Sequence, residues 1–287
     1  MKSNSDTMPR RKRRRNPRLG AGLLAIALVA LFIGGAVFYN RIMASHSGAL
    51  PGQSGAYGDL LKVVDTFNRP DTRLKYKAMD ISFNPDDHIP NWVAWELLGS
   101  ETDGEIPRAR SFSHDDNVDG CAWREDYVNS GYDRGHMAPA GDMKWDREAM
   151  RESFLLTNVA PQCHALNGGS WKTVEELCRK WAVSDSAIII VCGPVPGETP
   201  IERIGESRVS VPRRFFKVVL SPYVRPARAI GFVMRNSDDR QYASKCYVSV
   251  DEVERLTGYD FFSELPDTLE NAVEAKVNPY DWEGLNL

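Results

Sequence analysis

The sequence lacks the short motifs that mark several common catalytic sites. It contains no G-x-S-x-G nucleophile elbow, no Lys-containing P-loop and no G-x-G-x-x-G stretch, so it does not point to a serine hydrolase, a P-loop nucleotide hydrolase or a dinucleotide-binding enzyme. It has no C-x-x-C pair either, which disfavours a structural zinc site. An ordinary share of apolar residues, 42%, and of charged residues, 26%, excludes a mainly disordered chain and a membrane protein with many spans.

The chain also lacks an overall positive charge. Its 287 residues carry a formal net charge of −3, but residues 1–18 hold eight Lys and Arg against one Asp, so residues 19–287 carry −10. Ten acidic against two basic residues between positions 249 and 287 make up most of this excess. Any polyanion must therefore be held by a local site or a metal rather than by a bulk positive field.

One apolar run is long enough to cross a membrane. Residues 10–15 are all basic, and the 21 residues 19–39 carry no charge; as a helix they match a hydrocarbon core of about 30 Å. We predict a cytoplasmic tail at 1–18, an uncleaved transmembrane signal anchor at 19–39, a linker at 40–57 and a single domain at 58–287. The domain is expected on the periplasmic or extracellular side of the inner membrane. A cleaved signal peptide, a nucleic-acid-binding basic arm and a mitochondrial intermembrane location are the alternatives.

Five cysteines follow the apolar run: Cys121, Cys163, Cys178, Cys192 and Cys246. An oxidising compartment would permit up to two disulfides, and the sequence does not specify the pairs. Cys178 is a candidate partner of Cys246 or Cys192. The alternative for Cys192, which ends an apolar strand, is burial as a free thiol.

Predicted strands outnumber predicted helices. Stretches rich in Val, Ile and aromatic residues predict strands at residues 78–84, 91–98, 154–158, 186–192, 215–220 and 228–234. Residues 170–183 predict an amphipathic helix, whose apolar stripe consists of Trp171, Val174, Leu177, Cys178 and Trp181. A second helix is predicted to begin at Ser249, where Ser249-x-x-Glu252 matches a capping box. Together these elements predict an α+β domain on a central, largely antiparallel sheet.

Residues 131–142, GYDRGHMAPAGD, concentrate functional side chains. Asp133, Arg134 and His136 lie within four residues, and Gly135 between them permits a close backbone approach. A neutral imidazole is a good general base for water, and a guanidinium suits a doubly bonded grip on phosphate or carboxylate. By itself such a cluster is weak evidence, because a His close to an Asp is more often a structural hydrogen-bonded pair than a catalytic one.

Residues 158–175, NVAPQCHALNGGSWKTVE, contain a second polar group. At about 100° per residue, Glu175 would lie some 80° around a helix from Asn167, so both could border one cleft. Their oxygens are hard ligands of the kind that Mg²⁺ prefers. The alternative is that Asn167 only caps the helix and Glu175 is a solvated face residue. His164, between the two motifs, is interpreted as an exposed loop residue.

The two motifs together, DRGHMAPAGD and then N-x-x-P-Q-x4-N-x3-W-x3-E, resemble the DNA/RNA non-specific endonucleases. These are ββα-metal nucleases and include mitochondrial endonuclease G. Residues 91–96, NWVAWE, look like the family's early core strand, and residues 110–115, RSFSHD, look like the segment that bears its catalytic arginine. The resemblance covers residues 70–265.

The resemblance implies a ββα-metal nuclease domain that hydrolyses phosphodiester bonds of DNA and RNA with a single metal and leaves 5′-phosphate ends. It implies that His136 is the general base and that Asn167 is the sole direct protein ligand of Mg²⁺, for which Mn²⁺ can substitute. Glu175 would hold metal-bound water. Homodimers occur in the family, so a homodimer is a further expectation.

Supporting roles follow from the same resemblance. Arg110 would stabilise the charge that builds on the phosphoryl oxygens, and Arg134 would assist it. Asn158 and Gln162 would orient the loop. Asp133 would either orient the site or close a structural hydrogen bond.

Two other functions stay open from the sequence. A membrane-anchored nucleic-acid-binding module of the same fold, without activity, is favoured by the −10 charge, and hydrolysis of another phosphodiester would use the same groups. A positively charged cleft at His136 within an acidic body would favour catalysis.

Overall fold

The computed structural model describes residues 59–285, which contain thirteen strands and four α-helices joined by turns and loops. The predicted tail, membrane span and linker lie outside the described residues. The strands are β1 (Val63–Asp65), β2 (Thr72–Lys75), β3 (Asp80–Asn84), β4 (Ile89–Leu98), β5 (Asp133–His136), β6 (Val159–Gln162), β7 (Ala187–Pro194), β8 (Arg203–Ile204), β9 (Val209–Ser210), β10 (Arg214–Ser221), β11 (Arg228–Arg235), β12 (Tyr247–Val248) and β13 (Tyr259–Phe261). The helices are α1 (Arg147–Ser153), α2 (Lys172–Asp185), α3 (Val250–Thr257) and α4 (Asp267–Glu274). Within these described residues no helix combines the length and apolar character that a bilayer span requires.

Seven strands form one sheet in the order β12-β11-β10-β7-β4-β3-β2, and every neighbouring pair is antiparallel. The predicted α+β class and central antiparallel sheet are therefore confirmed. All eight residues of the middle strand, β7, are buried, because both faces of the sheet are covered.

Two hydrophobic cores lie on the two faces of this sheet. Side chains alternate along β4, so Trp95 enters one core and Trp92 enters the other. The first core contains the apolar face of α2, and the second contains Val253 of α3 and Val273 of α4. The sheet thus separates α2 from α3 and α4.

Five of the six predicted strands are confirmed, as β3, β4, β7, β10 and β11. The prediction at residues 154–158 is wrong. The backbone N–H groups of Phe154 and Leu155 donate to the carbonyls of Arg151 and Glu152 and close helix α1, and a 3₁₀ turn at Leu156–Asn158 follows. The strand, β6, begins at Val159.

The predicted amphipathic helix is confirmed as α2, with its apolar stripe buried. It begins at Lys172 because a π-helical turn, Leu166–Trp171, precedes it. At the start of α3, Ser249 Oγ accepts a hydrogen bond from the Glu252 N–H at 3.2 Å, which confirms the predicted cap. The reciprocal half of the capping box is not formed, because the Glu252 carboxylate binds Arg255 instead.

All five cysteines are free thiols, so none of the candidate disulfides is present. Cys192 is fully buried in β7, as its position at the end of an apolar strand predicts. Its thiol donates to the Met137 carbonyl at 3.3 Å.

Candidate active site

The DRGH motif and the second polar motif meet in one supersecondary unit. Strands β5 and β6 pair in antiparallel register, with Asp133 opposite Gln162 and His136 opposite Val159. The chain then passes through the π-helical turn Leu166–Trp171 into α2. Two antiparallel strands followed by a helix form the ββα arrangement that the resemblance implied.

Glycine is required at position 135, because a Cβ there would collide with the side chain of Gln162. Gln162 is fully buried and packs directly against β5. The structure therefore places Gln162 behind the motif, outside the cavity that His136 borders.

Asn158 holds the chain that follows His136. Its Oδ1 accepts from the Ala138 N–H at 2.9 Å, and its Nδ2 donates to the Ala138 carbonyl at 2.8 Å and to the Ser153 carbonyl at 2.9 Å. A fully buried amide with three such bonds is a rigid cross-link. It joins the end of β5 to the end of α1.

An open cavity of about 490 Å³ lies between β5 and the first turns of α2. It is lined by five of the predicted site residues: Asp133, Arg134, His136, Asn167 and Glu175. Three others do not line it: Arg110, Asn158 and Gln162. The other lining residues include Arg108, Phe112, Lys172 and Arg179, to which the sequence motifs assign no role.

The arginine of the loop before His136 that lines the cavity is Arg108, two positions before the predicted Arg110. Arg108 lines the cavity, and its guanidinium lies 4.9 Å from the centre of the Phe154 ring. Its charge also acts on His136. Residues 103–110 have no helix or strand, so motif spacing alone does not specify which arginine of this loop faces the cavity.

His136 is held in a buried aromatic setting. Its ring centre lies 4.8 Å from that of Phe112 and 4.9 Å from that of Phe154, and only 7% of the residue is exposed. Burial, and after it the Arg108 charge, lower the pKa of His136 to about 3. The imidazole is therefore neutral at physiological pH and able to accept a proton.

Asp133 orients the candidate metal ligand. Its Oδ2 accepts from Asn167 Nδ2 at 2.9 Å and lies 2.9 Å from Nδ1 of His164. The hydrogen bond uses the amide nitrogen of Asn167 and leaves the amide oxygen for the cavity. His164, though 86% exposed at its side chain, thus supports Asp133.

Glu175 is a carboxylate that has a raised pKa and no ion-pair partner among the described residues. Burial raises its pKa to about 7, and the positive charge of buried Lys217 opposes this rise. No basic side chain of the described residues lies within ion-pair distance of Glu175, whereas Arg179 is bound to Asp142 at 2.8 Å. An unpaired carboxylate beside an amide oxygen matches the hard oxygen donors that Mg²⁺ prefers. The residues present therefore fit a divalent metal.

Basic residues outnumber acidic ones in the lining of the cavity, although the chain is acidic. Arg108, Arg134, Lys172 and Arg179 line it against two acidic residues, Asp133 and Glu175. A small number of fixed cations around a concave site concentrates positive potential there.

Comparison with known proteins places the chain in a family context. Residues 56–268 match the family model for DNA/RNA non-specific endonucleases. The chain is 31% identical over 249 residues to the human protein "Nuclease EXOG, mitochondrial", covering 77% of this chain and 66% of that protein. It is 32% identical over 224 residues to a nuclease of Nostoc sp., covering 73% and 80% of the two chains. The chain also matches mouse "Nuclease EXOG, mitochondrial" and covers 61% of that protein, so it spans less than two thirds of that relative's length.

A solved structure agrees with the sequence comparisons. The crystal structure described as the EndoG/EndoGI complex superposes with a TM-score of 0.64 at 27% sequence identity, covering 69% of this chain and 89% of that one. Bovine "Endonuclease G, mitochondrial" is 29% identical over 282 residues, covering 93% and 90% of the two chains.

The buried neutral state of His136 predicts an acid-dependent loss of stability. The pKa of His136 is about 3 in the folded chain against an ordinary value of 6.5, so below pH 6.5 the unfolded chain binds a proton that the folded chain does not. The free energy of unfolding should fall by about 1.4 kcal/mol per pH unit from this residue alone. Urea unfolding of the wild type and His136→Asn at pH 7.5, 6 and 5 measures the difference. Parallel pH dependences of the two proteins would contradict the prediction.

Proposed function

Because the chain belongs to the DNA/RNA non-specific endonuclease family, we propose that it hydrolyses phosphodiester bonds of DNA and RNA, with a divalent metal and without sequence preference. The observation that carries this proposal is the meeting of a neutral His136, an oriented Asn167, an unpaired Glu175 and two arginines around one cavity. A base, a set of hard oxygen donors and fixed cations are the groups that phosphodiester hydrolysis requires.

His136 is the general base of the proposed reaction. Its imidazole takes a proton from water as the water oxygen attacks phosphorus, and the bond from phosphorus to the 3′ oxygen breaks. The departing 3′ oxygen takes up a proton from solvent, which leaves a 5′-phosphate and a 3′-hydroxyl. An incoming phosphodiester anion offsets the Arg108 charge that helps to lower the pKa of His136. The imidazole is therefore a stronger base when substrate is present.

Asn167 and Glu175 would hold the metal, which we take to be Mg²⁺. When bound, such a cation supplies positive charge to the phosphate and to the departing 3′ oxygen. Asp133 keeps the Asn167 oxygen directed to the cavity through its 2.9 Å bond to Nδ2. Among the described residues, the three acidic side chains that are spaced for a metal lie outside this cavity. The cavity itself therefore offers few direct protein ligands.

Arg108 and Arg134 supply the remaining positive charge. Arg134 packs its guanidinium 5.7 Å from the Phe112 ring centre and 5.8 Å from that of Tyr127, so its position is fixed before substrate arrives. A planar guanidinium can hold two phosphate oxygens at once. We assign Arg108 the charge-stabilising role and Arg134 the positioning role.

The alternative function, an inactive nucleic-acid-binding module, rested on the −10 charge of residues 19–287. The basic residues that line the cavity answer that objection to catalysis, because they surround the space in which a phosphate would bind. The neutral buried imidazole favours the enzyme further, since phosphate binding alone has no need of a base.

Metal removal and loss of the base should each abolish cleavage. Supercoiled plasmid and a structured RNA are incubated with the full chain, with its His136→Ala variant and with wild type in EDTA, and strand breaks are followed on gels. We expect the variant and the EDTA sample to lose at least about 10³-fold of the rate, and Mg²⁺ to restore only the EDTA sample.

The matched control for this experiment is His114→Ala. The His114 ring stacks on Trp123 with ring centres 3.7 Å apart, and it does not line the cavity. Full cleavage by His136→Ala, or cleavage in EDTA, would refute the mechanism.

The structure and the sequence motif indicate different arginines for the charge-stabilising role: Arg108 lines the cavity, whereas the motif points to Arg110. Arg108→Ala should lower turnover by about 10²–10³-fold, as removal of other groups that stabilise developing charge does. Arg110→Ala, at a residue outside the cavity lining, should stay within a few-fold of wild type. Single-turnover cleavage of a labelled duplex compares them, and Arg108→Lys, which keeps the charge but not the fork, should lie between. A larger loss in Arg110→Ala would return the role to Arg110.

We further infer that residues 19–39 anchor the chain in the inner membrane of a bacterial cell, with the catalytic domain in the periplasm. The basic run at residues 10–15 supports this orientation, because Lys and Arg flanking a span stay on the cytoplasmic side. Such a location would expose the enzyme to nucleic acids from outside the cell.

Membrane fractionation tests the anchor. The full chain should remain in carbonate-washed membranes, and its domain should be digested by protease added to intact spheroplasts. Leu28→Arg, which places a charge in the middle of the apolar run, should weaken insertion at a cost of about 3 kcal/mol. A domain that becomes sensitive to protease only after the spheroplasts are lysed would contradict the orientation.

A further inference from the structure

A group of carboxylates lies on the opposite face of the sheet from the cavity. Helices α3 and α4 contact each other and pack on the second hydrophobic core, whereas α2 packs on the first. This region belongs to the segment 249–287, which holds ten acidic against two basic residues. Its chemistry is therefore separate from that of the candidate active site.

Three of these carboxylates converge. Asp251 and Glu254 lie three positions apart on α3 and so share one helix face, and Glu274 is the last residue of α4. One oxygen from each lies within 4.8 Å of the other two. Glu254 also accepts a hydrogen bond from the Phe261 N–H at 2.8 Å, which fixes its direction.

The cluster has no basic partner among the described residues. None of the ion pairs there includes Asp251, Glu254 or Glu274, and two further carboxylates, Asp260 and Glu270, are close enough to repel them. Arg255, the basic residue of α3, is bound to Glu252 at 2.6 Å. Five acidic groups thus lie close together, and of these Asp260 is influenced by a basic side chain, that of Lys62.

Glu274 is the carboxylate of this cluster whose negative charge is least favourable. The residue is only 4% exposed, and its Oε1 has no hydrogen-bond partner. It also ends α4, where the exposed backbone carbonyls already carry partial negative charge. Burial, and after it the charges of Glu254 and Glu270, raise the pKa of Glu274 to about 9. A buried carboxylate in this setting needs a bound positive charge or a proton.

We propose that Asp251, Glu254 and Glu274 form a second divalent-cation site, suited to Ca²⁺, that fastens the end of α4 to α3. Carboxylate oxygens are the ligands that Ca²⁺ takes, and water completes its six to eight positions. Two oxygens on opposite sides of one Ca²⁺ are about 4.6–5.2 Å apart, twice the bond length. The three carboxylate oxygens lie within 4.8 Å of one another, so one Ca²⁺ can bind all three.

The cation would neutralise a cluster that no basic residue balances, and it would do so at a partly open surface. Asp251 is exposed and Glu254 is partly exposed, so an ion and its waters can enter from solvent. Glu274 lies at the inner end of the site. The site is structural, because the sheet separates it from His136.

Calorimetric titration of the detergent-solubilised full chain with Ca²⁺ tests the proposal. One Ca²⁺ should bind per chain, and Asn167→Ala should leave this isotherm unchanged, because the active-site ligand plays no part in it. Glu274→Gln, which keeps the shape of the side chain, and Asp251→Asn, at an exposed position, should each raise the Kd at least about 10-fold. Glu176→Gln, at an exposed carboxylate of α2, is the matched control and should bind as wild type does.

Thermal unfolding gives a second readout. Ca²⁺ at 100 times its Kd should raise the Tm of wild type by about 5–10 °C and that of Glu274→Gln by much less. The proposal is overturned if Asn167→Ala removes all Ca²⁺ binding, if both cluster variants bind Ca²⁺ as wild type does, or if Ca²⁺ does not bind at 10 mM, about ten times the Kd of weak extracellular Ca²⁺ sites. It is also overturned if pH but not Ca²⁺ changes the Tm of wild type, since a proton would then occupy the place of the ion.

Discussion

Lys217 brings a positive charge into the core beneath the cavity, and that charge favours the ionised form of Glu175. The residue is 1% exposed, and its Nζ lies 5.0 Å from the Trp95 ring centre and 4.4 Å from that of Trp171. Burial raises the pKa of Glu175, and Lys217 is the largest influence that opposes this rise. Without a cation at this depth, Glu175 would favour its protonated, uncharged form more strongly, whereas the buried Asp142 is held mainly by its ion pair with Arg179.

Hydrogen bonds between neighbouring elements fix the positions of the side chains in the site. The Asp133–Asn167 hydrogen bond joins β5 to the turn before α2, and the bonds of Asn158 join β5 to α1. The indole N–H of Trp171 donates to the His136 carbonyl at 3.2 Å and ties the base to the start of α2. A site held from several elements needs little rearrangement when substrate binds.

The two faces of the sheet carry opposite balances of charged residues, so an acidic chain can still present basic residues to a polyanion. On one face, four basic residues line the cavity against two acidic ones. On the other, Asp251, Glu254 and Glu274 lie together with no ion-pair partner among the residues that the structure describes. The net charge of the chain describes neither face, because fields near a concave site depend on the groups that line it.

Periodicity along the sequence by itself determined the buried stripe of α2 and most of the central strands, because these depend on one helix or one strand at a time. The grouping of His136, Asn167 and Glu175 in one site followed from the resemblance of the two sequence motifs to a known family. Residues 154–158 have strand composition, yet the hydrogen bonds that end α1 override it. Only the tertiary structure decided that Arg108 faces the cavity and that Lys217 lies beneath it. An irregular loop and a strand far along the chain supply these residues, so their positions follow from how the sheet packs and not from any local pattern.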